Sequence, residues 1–311
     1  MKRFKNILYF ADYPDTQRVT LEQAVALSKA NDARLTVIDV TAEAEQAKEV
    51  EKRFGIDLNA ALRERRLEQL EAMTAPHTEA GIMIYTQVLT GIPFIEVIRT
   101  VQRNGYDLLM KVARPSGKLA ERLFGSSDMH LLRKCPCPVW IDHPDCAHPY
   151  QTILAAVDPI GHTGEGINRL IMDLATSLAE RQQARLHVVH VWRLVGESRL
   201  SSGQGRISET EIRLLLNESE RRHRDGLNRL LNDYGMAAGD ENAHLLKGDA
   251  AESIVGLARE LSIDLIVMGT VGRSGVSGLL IENTAEDVLL TTHASVLTVK
   301  PENFVSPIAL P

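Results

Sequence analysis

The chain is 311 residues long, 44% hydrophobic and 24% charged. That is the composition of an ordinary soluble globular protein, with room for two domains of about 150 residues each. A formal charge of −6, from 35 Lys and Arg against 41 Asp and Glu, excludes net electrostatic attraction to nucleic acid or to an anionic membrane. Three cysteines in so long a chain build no disulfide framework and point to a reducing compartment.

Near the start, Ile7 to Phe10 is the only apolar stretch before Asp12, shorter than the roughly 7–15 residues of a signal-peptide core. No run approaches the roughly 18 apolar residues of a membrane span, so a cytoplasmic location is expected.

Asn6 to Asp12 reads as a first strand ending on an acid, and Thr16 to Asn31 as an amphipathic helix. Arg34 to Val40 is a β-branched second strand. Residues 43 to about 80 are helical with a break near Gly55, Ile82 to Leu89 is strand, and Pro93 to Arg103 is helix with proline in its first turn. Tyr106 to Val112 is strand, Ser127 to Lys134 a short helix, and Cys137 to Ile141 a strand. Residues 143–150 hold two prolines and no periodicity, the marks of a linker.

The pattern then restarts. Thr152 to Asp158 is strand ending on an acid, Gly166 to Arg181 helix, and Ala184 to Val191 strand. A long helix over Ser208 to Tyr234, with its basic run Arg221 to Arg224 among Glu218 and Glu220, presents a solvated face. Ala243 to Lys247 is strand, Ala250 to Leu261 helix, Asp264 to Met268 strand, Thr284 to Leu290 helix and Ser295 to Lys300 strand. Such alternation predicts an α/β fold, two doubly wound parallel-sheet domains in tandem. The halves also match position for position. Asp107, Gly91 and Val139 recur as Asp264, Gly248 and Val296, all at an offset of 157, and Ala33 recurs as Ala184 at 151. The expected division is residues 1–142, a linker at 143–150, and residues 151–311.

The most informative stretch runs from Leu265 through Gly269, Gly272, Arg273, Ser274 and Gly275 to Asn283 and Thr284. An apolar strand that opens into glycines and then a helix can cradle phosphate on main-chain N–H groups. With the acid closing strand one and the Cys-Pro-Val entry to the fifth strand, this loop resembles the signature G-x2-G-x9-G-[S/T] of the universal stress protein family. The resemblance covers nearly the whole chain, twice, and is to tandem members of the family. It implies a five-stranded parallel sheet per domain, of the adenine nucleotide alpha hydrolase-like kind. Nucleotide would sit at the carboxyl ends of the strands, as the general rule for open α/β sheets also has it.

Carried onto this sequence, the motif places Gly269 and Gly272 at the first two glycine positions, with Arg273, Ser274 and Gly275 continuing the loop. Asn283 and Thr284 open the following helix. Asp158 would be the adenosine-side contact, a position it could equally fill as a strand-end turn or helix cap. At the third glycine position stands Glu282. A carboxylate about 4–5 Å from a phosphate costs on the order of 1 kcal/mol in water and several kcal/mol at an effective dielectric constant of 20. Turning outward, or a bridging Mg²⁺, would relieve that. In the first half, Val112 and Pro115 replace the two glycines, and Pro115 also lacks a donor, although Gly125 and Ser126 keep the end of the motif.

Cys135, Cys137, Cys146, His143 and His148 fit no common zinc spacing and read as core or turn residues, with Cys135 and Cys137 on one face. His187 and His190, three apart on a strand, face opposite sides. No nucleophile–base pair is assembled. The expected function is therefore a non-catalytic stress-response protein that binds a small-molecule or protein ligand, with no firm cofactor. Its halves pair through the strands at 138–141 and 296–299 as an internal pseudo-dimer, and further association is open. The alternative is an ATP-binding switch or slow ATPase using ATP and Mg²⁺ in the second half.

Overall fold

Runs of four or five apolar residues buried on both faces can form only strands covered by helices on either side. Ile7, Leu8, Tyr9 and Phe10 are such a run, as are Leu265 to Met268. The computed structural model describes residues 3–12, 18–113, 126–146, 148–160, 164–194, 197, 208–270 and 283–310. In the first repeat these are β1 (Asn6–Phe10), α1 (Arg18–Asn31), β2 (Arg34–Thr41), α2 (Ala47–Phe54), α3 (Leu58–Glu79), β3 (Ile84–Thr90), α4 (Pro93–Asn104), β4 (Leu108–Val112), α5 (Ser126–Lys134) and β5 (Val139–Asp142). The second has β6 (Thr152–Ala156), α6 (Gly164–Gln182), β7 (Arg185–Trp192), α7 (Glu209–Asn232), β8 (Ala243–Lys247), α8 (Ala250–Glu260), β9 (Leu265–Gly269), α9 (Asn283–Thr291) and β10 (Ser295–Val299).

The elements match the sequence reading to within a few residues, and local chemistry explains their ends. The expected break near Gly55 separates α2 from α3, whose N-cap Asp57 accepts from the Ala60 N–H at 2.9 Å. Helix α7 opens on a capping box: the Ser208 N–H donates to Glu211 Oε2 at 2.8 Å and the Glu211 N–H to Ser208 Oγ at 3.3 Å.

Two compact units result, the first holding the residues up to His148 together with those from His293 onward. Its strands run β3-β2-β1-β4-β5, all parallel. On β5 lies β10, antiparallel, with Val296 opposite Ile141, Leu297 opposite Trp140 and Thr298 opposite Val139. That is the strand pairing expected from the sequence, but it assigns the fifth strand of the second repeat to the first unit. The second unit holds β9-β6-β7-β8, all parallel. The stretch between the repeats is held at its two ends. The buried His143 donates its N–H to Ser295 Oγ at 2.9 Å, and the buried Tyr150 donates its N–H to Gln182 Oε1 at 2.7 Å.

The positions that repeat at 157 have matching jobs. Asp107 accepts from the main-chain N–H groups of Lys5 at 2.6 Å and Asn6 at 3.0 Å, and Asp264 from those of Gln151 at 2.7 Å and Thr152 at 2.9 Å. In each repeat the acid before the fourth strand thus fixes the start of the first. Gly91 and Gly248 have φ of 140° and 153°, and each donates its N–H to the last residue of the second strand, Thr41 O and Trp192 O, at 3.0 Å. A Cβ would lie 2.9 Å from Glu96 Cγ at Gly91 and 3.1 Å from Ser253 Oγ at Gly248.

Glycine substitutions therefore separate by backbone. Gly248→Ala should lower stability in urea unfolding by roughly 1 kcal/mol or more, because a side chain is strained at that φ. Gly256→Ala, in the interior of α8 with open space around its Cβ, should raise it by roughly 0.5–1 kcal/mol.

Candidate functional site

At the carboxyl end of β6 the chain leaves the sheet through Val157 and Asp158. The Asp158 main chain is clamped by the buried Asn168 of α6, which accepts from the Asp158 N–H at 2.9 Å and donates to the Asp158 carbonyl at 2.8 Å. An amide that serves both main-chain groups fixes where the carboxylate points. That carboxylate is 41% exposed, 4.0 Å from Nδ1 of the buried His190 at the end of β7.

His190 faces away from solvent into a second buried histidine. Its Nδ1 is 3.0 Å from Val157 O and its Nε2 is 2.8 Å from Nδ1 of His223 on α7. A carbonyl accepts only, so Nδ1 of His190 carries a proton. In a neutral pair Nε2 then accepts, and His223 donates from its own Nδ1. Trp192 stacks on His223 at 5.6 Å, and Lys247 of β8 lies 5.9 Å over the Trp192 ring while pairing with Glu197 at 2.6 Å. The ends of β6, β7 and β8 thus carry an aromatic and polar wall with one half-exposed carboxylate.

The first repeat builds the same place with charge. Here Asp39 of β2 pairs with Arg66 of α3, and Arg66 Nη2 donates to Ala11 O at 2.9 Å. Asp39 and His190 correspond at an offset of 151, and Arg66 and His223 at 157. Burial pushes the Asp39 carboxyl up, and Arg66 offsets only part of the rise. In both repeats a pair from strand two and the long helix satisfies the carbonyl just before the strand-one acid.

That acid is then treated differently. Asp12 lies 3.0 Å from Nζ of Lys111, a fully buried lysine on β4 that also pairs with the fully buried Asp128 of α5. Burial alone would push the lysine pKa down, but Asp128 and Asp12 outweigh it and hold Lys111 above its ordinary value. At the matching positions, 157 residues on, stand Met268 and Ala285, both buried. The first repeat therefore fills its strand end with its own cation.

Of the residues singled out from the sequence, Asp158, Gly269 and Thr284 lie among those described, and Asn283 begins α9 as expected. Gly269 is needed for packing: a Cβ there would sit 3.3 Å from Ile167 Cγ2 of α6. Gly272, Arg273, Ser274, Gly275 and Glu282, with Pro115 and Gly125 of the first repeat, lie outside the described residues. The first turn of α9 already carries Glu286, a negative charge at the helix end that favours anions. Among the described residues no group of three or more His, Cys, Asp or Glu is placed to hold a metal ion.

One expectation needs correction. The run from Arg221 to Arg224 is not wholly a solvated face, because His223 is turned inward between exposed arginines. Unlike His187 on the same strand, His190 has its partner on a helix 33 residues away. The two do face opposite sides, and His187 meets His244 instead, at 3.1 Å.

A duplicated unit of parallel strands alternating with helices defines the class, a tandem α/β protein with two repeats of one fold. Residues 3–143 and 149–300 each match the Universal stress protein family, and the chain belongs to that family. It is 31% identical over 242 residues to universal stress protein E of Escherichia coli K12, covering 75% of this chain and 73% of that one. To the universal stress protein E homolog of Haemophilus influenzae it is 26% identical over 312 residues, covering 96% and 98%. A crystal structure of a universal stress protein from Pseudomonas aeruginosa UCBPP-PA14 superposes with a TM-score of 0.73 at 25% identity, covering 97% of this chain and 95% of that one. One from Archaeoglobus fulgidus has the same fold, with a TM-score of 0.61 at 17% identity, covering 96% and 99%.

The buried charges of the first repeat should behave as a unit. Lys111→Met or Asp128→Ala alone should cost about 3–5 kcal/mol in chemical unfolding. The double variant, which copies Met268 and Ala285, should recover most of that loss. Additive losses in the double variant would show that the two side chains act separately.

Proposed function

We propose that this tandem stress-response protein is cytoplasmic and non-catalytic, and that it takes a small ligand or a partner at the strand ends of its second repeat. Residues 1–142 and 151–311 are its two domains, joined at 143–150. The observation that carries the reading is the contrast between Asp12 and Asp158. The first is held by a buried lysine, the second is half exposed on a fixed main chain. A ligand approaching the first repeat would have to displace a buried ion pair, whereas at the second it would meet the half-exposed Asp158 carboxylate and, further along the strand ends, the surface pair of Lys247 and Glu197.

The non-catalytic reading is supported at one serine by how the buried Ser295 and Asp142 and the partly exposed His148 are wired. Ser295 Oγ donates to Asp142 Oδ1 at 2.7 Å, while His148 Nε2 reaches Asp142 Oδ2 at 3.1 Å. The serine hydroxyl donates to the carboxylate instead of an imidazole, so the three groups do not form the serine–histidine–carboxylate order of a catalytic triad. Thr20 fills the remaining approach, donating to Asp142 Oδ2 at 2.5 Å.

For ATP, Asp158 would be the adenosine-side contact by resemblance and Asn283 a helix start, but Glu282, at the third glycine position of the motif, and Glu286 on α9 both oppose a polyphosphate by charge. Calorimetric titration with Mg-ATP should show no sub-millimolar binding by the wild type and at least about tenfold tighter binding by Glu282→Gly. Asp158→Ala in that background should remove the gain, and neither protein should release phosphate. Sub-millimolar binding or steady phosphate release by the wild type would establish the ATP-binding switch or slow ATPase in its place.

A further inference from the structure

Between the end of α5 and the start of β5 the chain reads Cys135, Pro136, Cys137. Both thiols are buried, and their sulfur atoms are 3.5 Å apart. The second repeat has Thr292 and Ala294 at the matching positions, so the pair is not a requirement of the fold. Above it comes Lys300, which follows β10 and is brought to this place by the pairing of β10 with β5. Its Nζ donates to Leu132 O in the last turn of α5, and the ammonium lies 4.9 Å over the Phe304 ring.

A buried ammonium beside two thiols sets up proton exchange among the three groups. Burial pulls Lys300 down to about 8, opposed by the two cysteines. Burial would push the Cys135 thiol up, but the hydrogen bond from Cys137 Sγ, the Lys300 charge and the Cys137 N–H outweigh it and hold Cys135 below its ordinary value. Cys137 is pushed well up by burial and by its bond to Cys135. Of the two sulfurs, Cys135 is thus the one more readily deprotonated, with the Cys137 thiol 3.5 Å away as its hydrogen-bond partner.

We propose that Cys135 and Cys137 are a peroxide-reactive dithiol, with Cys135 as nucleophile, Cys137 as resolving thiol and Lys300 as proton carrier. The Cys135 thiolate attacks the terminal oxygen of a hydroperoxide, and the O–O bond breaks. Lys300 protonates the departing alkoxide or hydroxide, which leaves as an alcohol or water. Cys135 is now a sulfenic acid. Cys137 gives its proton back to Lys300 and attacks the Cys135 sulfur, expelling hydroxide, which Lys300 protonates to water. Hydroperoxide has been reduced and the two sulfurs oxidised to a disulfide, with Lys300 left neutral. A separation of 3.5 Å leaves a small closing movement to the roughly 2.05 Å of the bond. Oxidation thus erases the charge pair that holds the segment after β10 against α5.

The test treats folded full-length protein with hydrogen peroxide and follows intact mass and maleimide labelling, with the half-buried Cys146 as internal comparator. The expected result is loss of two hydrogens from the Cys135–Cys137 peptide before Cys146 reacts, reversed by dithiothreitol. Cys137→Ser should stop at a sulfenic acid that a dimedone probe captures on Cys135. Lys300→Met should slow closure about tenfold, with Lys300→Arg, which keeps the charge, intermediate. If Lys300→Met does not fold, as read by circular dichroism, the Lys300→Arg and Cys137→Ser results decide. Oxidation of Cys146 while both buried thiols persist, or closure at the wild-type rate without Lys300, would overturn the proposal.

Discussion

A lysine ammonium that no water reaches must be given counter-charge by the protein, and Lys111 receives it from two directions. Asp12 comes from the turn after β1 and Asp128 from the first turn of α5. Leaving water costs several kcal/mol for each such ion even after relaxation, so neither carboxylate can be spared. The constraint fixes three elements at once: the exit from β1, the facing of β4 and the seating of α5. It also uses up the acid that a ligand at this strand end would approach.

The second repeat meets the same backbone demand without charge. A buried carbonyl must find a donor, and Ala11 O finds a guanidinium where Val157 O finds an imidazole. Arg66 brings a positive charge that requires Asp39 beside it. His190 and His223 bond to each other at 2.8 Å, and as neutral imidazoles they would need no counter-ion. With two imidazoles in place of Asp39 and Arg66, Asp158 lies 4.0 Å from His190 Nδ1. The repeats have therefore kept a common scaffold and diverged in where they place charge.

Much of the fold was legible because it rests on short-range patterns. Apolar runs marked the strands, helical spacing the helices, and the 157-residue offset the duplication. Asp107 and Asp264 could be paired by sequence although their task, capping the start of β1 and β6, shows only in three dimensions. The site was less legible. Asp158 was reached through the resemblance alone, and His223 was hidden in a basic run whose other members are exposed. Lys111 looks like an ordinary strand residue, since alternation says nothing of a partner 17 residues on. A signal for it did exist. Where the second repeat has Met268 and Ala285, the first has Lys111 and Asp128, two opposite charges replacing two apolar residues together. Such a paired exchange is what a buried ion pair requires, because either change alone strands a charge.

The last strand explains why the first unit is the more self-contained. By joining β5, β10 brings Ser295 to Asp142 and Lys300 to the cysteines, so polar groups inside the first unit are completed by residues near the chain's far end. Val139 and Thr298 are paired across more than half the sequence. Contacts of such separation carry the largest loop-closure cost and form after local ones. Asp142, near the middle of the chain, stays without its Ser295 donor until residues beyond 290 have folded.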